Sequence, residues 1–422
     1  MMKTLMLTIF LVFSLAIQAQ EPKILTLNQL TDSALAAFPP GRGRQILEQS
    51  FELKKNIVRA GLYPNANLNA QLSYQSDVTK IEIPMPGFKA PELAKDWYRV
   101  NIDLYQTMYD GGMTKARLET ENAEYQLQIN KIEQAEEQLK KKVNDLFYGV
   151  LMANNRIRVL NFAIATTQAM ISETDTRAKK GMVLKSELAA VESGLLQYKQ
   201  QLVEASAARN ASLELLSSVC NVTISASDSL SVNTPENNRP YTLNRKDADE
   251  FGLLTGRANS LMLMEKSKRR PALGLFGQAG YGRPGYNMLD DSFDEYFLIG
   301  IRLNYNIWDW NTHKRNIQVI RLQQKQTELA EENFRMLHMG RWKAMIREAE
   351  QFDSLLALDD EIIRLQQTVV DASRAQLNNG TITGAAFVTE LNKLHQSIIM
   401  RENHKILRSK TYHEINLLTG NQ

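Results

Sequence analysis

Apolar and polar residues alternate strictly through four short stretches of this chain. Ala66, Leu68, Ala70, Leu72 and Tyr74 fall on one side, and Asn67, Asn69, Gln71 and Ser73 on the other. Val100, Ile102 and Leu104 oppose Arg99, Asn101 and Asp103. A weaker third stretch sets Leu273, Leu275, Ala279 and Tyr281 against Gly274, Gln278 and Gly280. In the fourth, Phe297, Ile299, Ile301, Leu303 and Ile307 oppose Arg302, Asn304 and Asn306. Successive side chains of a strand point to opposite faces, so each stretch predicts a strand with one apolar and one polar wall. The strands come in two pairs, 64–74 with 97–109 and 271–281 with 296–308.

Another period governs the segments between them. Residues 113–180 contain no proline, and apolar residues recur at Leu118, Tyr125, Ile129, Ile132, Leu139, Val143, Leu146 and Val150. These steps are those of a coiled-coil seam. Leu355, Leu358, Ile362, Leu365 and Val369 repeat the pattern in the second half. At 1.5 Å per residue such a helix runs about 100 Å, too long to bury itself in one compact domain, so it must pack in a bundle or tube. Gly181 and Gly380 interrupt the long helices and predict left-handed turns into return helices at about 184–217 and 383–418. Shorter helices are predicted at 26–38, 45–62 and about 244–269. Pro64 and Pro271 mark the changes from helix to strand.

The two halves are one plan used twice. Tyr109-Asp110-Gly111-Gly112 closes one strand and opens one long helix, and Trp308-Asp309-Trp310-Asn311 does the same later. Both pairs of landmarks, 110 with 309 and 181 with 380, keep a single offset of 199 positions. The domain reading is a first repeat at 20–221 with its hairpin at 113–217, then a Ser-, Asn- and Thr-rich linker at 222–240. A second repeat follows at 241–422, with its hairpin at 312–418. Such duplication points to an assembly whose repeats line a common axis.

Composition narrows the classes. A lysine and about 13 apolar-rich residues up to Ile17, followed by Ala19, predict a signal peptide over residues 1–19 and an exported chain. That run is short of the roughly 20 residues a spanning helix needs. With 50 Lys+Arg against 47 Asp+Glu there is no basic field for nucleic acid. Cys220 is the only cysteine, which excludes a disulfide within the chain.

The alternating stretches have two readings. One is an antiparallel sheet lying half-solvated on a soluble core. The other is a membrane β-barrel, since about 9–11 residues suffice for a tilted strand to cross a bilayer. Trp97, Tyr98, Tyr109, Tyr296, Trp308 and Trp310 near the strand ends suit interfacial girdles. Four strands cannot close a barrel, because known barrels need about eight or more and open edges in lipid leave backbone groups unsatisfied. The membrane reading therefore requires several chains to pool their strands.

Apparent chemistry dissolves on inspection. Residues 280–285 spell the dinucleotide fingerprint, yet Pro284 and the residues after it read as a loop where that motif needs a helix. His395, His404 and His413, nine apart, place neighbours on opposite faces of a helix, and the outer two lie about 27 Å apart at helical rise. They are expected to be solvated surface histidines, not a metal set. Lys140, Lys141 and Lys142 are expected to form a solvated face. No nucleophile–base arrangement stands out, so neither catalysis, cofactor nor metal is expected.

The order of short helices, strand pair, long hairpin and linker, then the same again, resembles the TolC family of outer-membrane efflux proteins. The tip Gly181-Met182-Val183-Leu184-Lys185-Ser186-Glu187-Leu188 is similar to the family's hairpin pattern, and Asn379-Gly380-Thr381-Ile382-Thr383 resembles the second tip. The resemblance implies an α+β membrane protein. Long antiparallel helical hairpins would form a periplasmic α-barrel, and four strands per chain would join a shared 12-stranded β-barrel of a homotrimer.

It further implies an outer-membrane location and passive export. The partners would be a periplasmic adaptor and an inner-membrane pump of the resistance-nodulation-division or ATP-binding-cassette type. The tip residues for docking and gating would be Gly181, Ser186, Glu187, Gly380, Ile382, Ala386 and Phe387. Ile382, Ala386 and Thr389 stand where the prototype has one basic and two acidic residues, so an apolar or neutral gate is expected. In the barrel, Asn67, Asn69, Arg99, Asn101, Asp103, Arg302, Asn304 and Asn306 would face the lumen. Leu68, Leu72, Val100, Ile102, Leu104, Ile299, Ile301 and Leu303 would face lipid. The exit duct of a type I protein secretion system fits the same sequence. A periplasmic adaptor or coiled-coil scaffold is the alternative of a different class.

Overall fold

A computed structural model describes residues 23–78, 94–225, 228–232, 241–287 and 290–420. The expected signal peptide lies outside the described residues, as do residues 79–93 between the first two predicted strands and much of the linker 222–240. The elements run β1 (Ile24–Thr26), α1 (Leu27–Ala37), α2 (Pro39–Ala60), β2 (Asn65–Tyr74), β3 (Asp96–Tyr109), α3 (Met113–Lys179) and α4 (Lys185–Cys220). They continue β4 (Ser229–Ser231), α5 (Lys246–Ser267), β5 (Ala272–Arg283), β6 (Asp294–Asn304), α6 (Thr312–Asn378) and α7 (Gly384–Thr419). The long helices α3 and α6 are each 67 residues, and the return helices α4 and α7 each 36, so the duplication extends to element length.

The chain divides into two compact units. The first comprises residues up to 41, 133–245 and 335–422; the second comprises 42–132 and 246–334. The second unit holds a four-stranded antiparallel sheet in the order β2-β3-β5-β6. Beside the strands, Phe51 of α2 stacks on Tyr125 of α3 at 4.6 Å, and Arg257 of α5 reaches Glu124 at 3.0 Å.

The first unit is a helical bundle with four apolar clusters among its described residues. The largest packs Leu30 and Ala34 of α1 against Val143, Phe147 and Tyr148 of α3 and Leu213, Leu216 and Cys220 of α4. Cys220 is 1% exposed, and burial pushes its thiol up to about 11, which suits an inert helix-end residue. Near the hairpin turns, Met170 of α3, Val191 of α4 and Val370 of α6 meet Phe387, Val388 and Leu391 of α7. Smaller clusters join α3 to α4 around Leu160 and Tyr198, and α6 to α7 around Met345 and Tyr412.

Three details depart from expectation. The helix expected at 45–62 begins at Pro39, because proline is tolerated in a first helical turn, where its missing N–H has no partner to lose. The linker contributes β4, which pairs in parallel with β1 in the register Leu25↔Leu230. The fourth strand stops at Asn304, so Asn306 and Ile307 lie beyond it and alternation no longer assigns them a face.

Candidate channel wall and helical tips

The register of the sheet collects the alternating residues into two continuous surfaces. Directly opposed residues of an antiparallel pair share a face. Leu68 lies opposite Ile102, Ile102 opposite Ala279, and Ala279 opposite Phe297, so one apolar row crosses all four strands. Leu72, Val100, Leu104, Ile299, Ile301 and Leu303 occupy the same face by period two. These side chains are exposed, Ile301 by 71% and Leu68 by 72%. An uncovered apolar surface of this extent marks a face made for a nonpolar neighbour.

The opposite surface is organised by one carboxylate. Asp103 accepts from Asn69 Nδ2 at 2.6 Å, from Asn101 Nδ2 at 2.8 Å and from Gln278 Nε2 at 2.6 Å. Gln278 in turn accepts from the Tyr286 hydroxyl at 2.8 Å. Asn67 and Arg99 fall on this face through their pairing with Asp103 and Gln71. Arg302 lies there too, its guanidinium 4.9 Å from the Phe276 ring centre, and Asn304 follows it by period two.

The face is not uniformly polar. Tyr296 and Leu298 share it, opposite Gly280 and Gln278. Tyr296 is buried there over Gly280, where any Cβ would lie 2.6 Å from the tyrosine ring. The first glycine of the apparent fingerprint thus makes room for an aromatic ring lying across a strand, whereas Gly282 faces the backbone of Tyr98 and Arg99. Two residues expected in a girdle lie on the polar face by the same register, Trp97 opposite Ser73 and Tyr296 opposite Gly280, whereas Tyr98 and Tyr109 share the apolar face. Trp308 and Trp310 lie past β6, exposed and in edge-on contact at 5.7 Å.

The two hairpin turns have the same geometry. Gly181 and Gly380 both have φ of +72°, and Met182 N–H donates to the Arg177 carbonyl as Thr381 N–H donates to that of Gln376, each at 2.9 Å. Only glycine adopts this conformation without a steric penalty. Thr383 then caps α7 by accepting from Ala386 N–H at 3.2 Å. Ser186 and Ala386 are exposed and Glu187 half-buried, whereas Ile382 packs on the cluster near the turns. Phe387, expected at the gate, is 2% exposed in that cluster, since its position turns it toward Val191 and Val370.

The three histidines of α7 are not solvated. His395 is 2% exposed, His404 pairs with Asp359 of α6 at 2.6 Å, and His413 Nδ1 lies 2.8 Å from the Tyr148 hydroxyl of α3. Neighbours nine apart do face opposite ways, but in a bundle both directions lead to another helix. Missed by sequence reading was Tyr286, which reaches Gln278 and the Tyr296 ring from beyond the end of β5; for the burial of Tyr296 the signal lay in Gly280 opposite it.

Residues 47–222 match the model of the outer membrane efflux protein family. This is the family named from the sequence. The fold is similar to that of the Campylobacter jejuni CmeC outer membrane channel, with a TM-score of 0.71 at 14% identity over 94% of this chain and 85% of that one. It is similar to CusC, with a TM-score of 0.76 at 12% identity over 96% of both chains. It also resembles the open state of the Neisseria gonorrhoeae MtrE outer membrane channel, with a TM-score of 0.70 at 16% identity over 93% and 88%. No curated protein matches the chain in sequence. The fold is thus the α+β one shared with these outer-membrane channels, long helical hairpins with a four-stranded sheet. Among the described residues no helix is long and apolar enough to cross a membrane.

Proposed function

We propose that three copies of this chain close a 12-stranded barrel in the outer membrane and act as a passive export conduit. The observation that carries this reading is the four-stranded sheet. It is apolar on one face, polar on the other, and left with β2 and β6 as free edges among the described strands. Free edges in lipid must be paired, and pairing β6 of one copy with β2 of the next closes the sheet. The apolar row through Leu68, Ile102 and Phe297 then meets lipid, and the Asp103 network meets the lumen.

The helical hairpins form the periplasmic end in this reading. Their tips at Gly181 and Gly380 dock an adaptor that links the channel to an inner-membrane pump. With Ile382 and Ala386 at the second tip, the gate has no carboxylate ring there, so trivalent cations added on that side leave conductance unchanged. Rows of asparagine and glutamine along the lumen select few solutes, so substrate choice falls to the pump. A type I secretion duct needs the same pore.

The test is the native mass and the conductance of protein extracted from outer-membrane fractions in detergent. A trimer that forms ion-conducting pores in planar bilayers supports the reading. A soluble monomer absent from that fraction overturns it and returns an adaptor or scaffold role to the front.

A further inference from the structure

The histidines of α7 divide by what faces them. His395 is buried against α3 and α4, its ring edge-on to Phe162 at 5.5 Å and 6.4 Å from the Tyr198 ring. Neither of its nitrogens has a hydrogen-bond partner among the described residues, nor has the Tyr198 hydroxyl or Asn392 Oδ1. All three line one cavity of about 130 Å³ between α3, α4 and α7, with Gln197, Gln201 and Gln396 as its other polar lining. At roughly 10–15 Å³ for each water, the space admits several and lets a proton reach the ring. Among the described residues no carboxylate lines the cavity, and Tyr198 is the only other titratable group there.

His413 also faces α3, where its Nδ1 lies 2.8 Å from the Tyr148 hydroxyl and 3.1 Å from the Ser409 carbonyl. The charged groups nearby are Lys410 and Glu414 on α7 and Asp145 on α3, and both carboxylates are engaged with Lys410. His404 faces α6 and meets the Asp359 carboxylate at 2.6 Å, with the Phe352 ring beside it. Arg401 and Arg408 take the neighbouring Asp360 and Asp353.

We propose that α7 is an acid-sensitive seam. Proton uptake at His395 and His413 loosens α7 from α3 and α4, while the contact of His404 with Asp359 keeps α7 on α6. The asymmetry lies in the partners: His404 faces the Asp359 carboxylate, and a charged ring at 395 finds no anion in its cavity. Burial holds both His395 and His413 below the ordinary histidine value of 6.5, the Ser409 carbonyl opposing it at His413. The closed packing is therefore complete above about 6.5 and weakens as pH falls toward the folded-state values.

Hydrogen exchange on the full-length protein in detergent tests this, with rates corrected for the intrinsic pH dependence of exchange. Between about pH 7.5 and about pH 5.5, the range in which histidine titrates, peptides covering 194–201 and 392–413 are expected to lose protection. The loss should reach up to about tenfold per pH unit for each histidine linked to opening. His395→Gln should flatten the response at 194–201, whereas His404→Gln should leave it intact. A wild-type seam whose protection does not change with pH overturns the proposal even if His395→Gln fails to assemble. An unchanged slope in an assembled His395→Gln variant overturns it as well. The readout does not involve conduction, so failure of the export reading leaves this result standing.

Discussion

Asp110 and Asp309 make the same turn in the two halves of the chain. Asp110 accepts from the Thr114 N–H at 2.6 Å, and Asp309 from the His313 N–H at 3.1 Å, each four residues on. Between them the chain passes twice through left-handed conformation, at Gly111 and Gly112 in one half and at Trp310 and Asn311 in the other. The carboxylate satisfies orphan donors at a helix start and lies at the positive end of its dipole. That is how one strand is joined to a 67-residue helix without a longer loop.

Both carboxyls titrate low. Burial raises that of Asp110, but hydrogen bonds from Thr114, Gly112 and Met113 outweigh it; that of Asp309 is lowered first by the His313 N–H. A depressed folded-state value means stability that is complete above about 3.8 and lost as pH falls through the folded value. Asp110→Ala is expected to cost about 1 kcal/mol at neutral pH, and Asp309→Ala to destabilise in the same direction. Thermal unfolding of each variant should differ from wild type at pH 7 and converge with it in strong acid.

Trp310 and Asn311 occupy a conformation that costs an L-residue roughly 1–2 kcal/mol. Asn311→Gly is expected to stabilise by about 1 kcal/mol, read as a raised melting temperature. The reverse change in the first half, Gly111→Ala, should fail badly, because a Cβ there meets the Arg270 Cβ at 2.7 Å.

Arginine placed at Ile102 or Ile301 should cost about 2–4 kcal/mol if those residues face lipid near the bilayer midplane. Arginine at Asn69 or Asn304, on the other face, should be tolerated. Outer-membrane yield of assembled protein distinguishes the two sets. Normal yield of the isoleucine variants would reject the lipid-facing assignment.

Cys220 should resist alkylation in the folded protein at pH 8, since its thiol is buried and held near 11. Labelling should become complete on denaturation, which mass spectrometry reads directly. Rapid labelling of the native protein would mean that the cluster of α1, α3 and α4 opens readily.

How much of this was legible depends on the range of the interaction involved. The two faces of the sheet were readable because a period of two is a local property of extended backbone. The hairpin turns were readable because a lone glycine at the end of a long apolar seam supplies the left-handed residue that stops a helix. The histidines misled because their spacing gives only directions around a helix, and whether water or another helix lies there depends on residues such as Asp359 and Tyr148, far away in sequence.

The sequence by itself determined the strands, the long helices, their duplication and the family resemblance, since each rests on periodicity or on short spacing along one chain. Tertiary structure decided which residues meet: Asp103 as the hub of a polar face, Tyr296 lying over Gly280, and His395 beside Tyr198 with no hydrogen-bond partner among the described residues. Those outcomes depend on strand register and helix packing, where a one-residue slip turns a side chain to the opposite face. No local pattern encodes that choice, because it is settled by the sum of contacts between segments hundreds of residues apart.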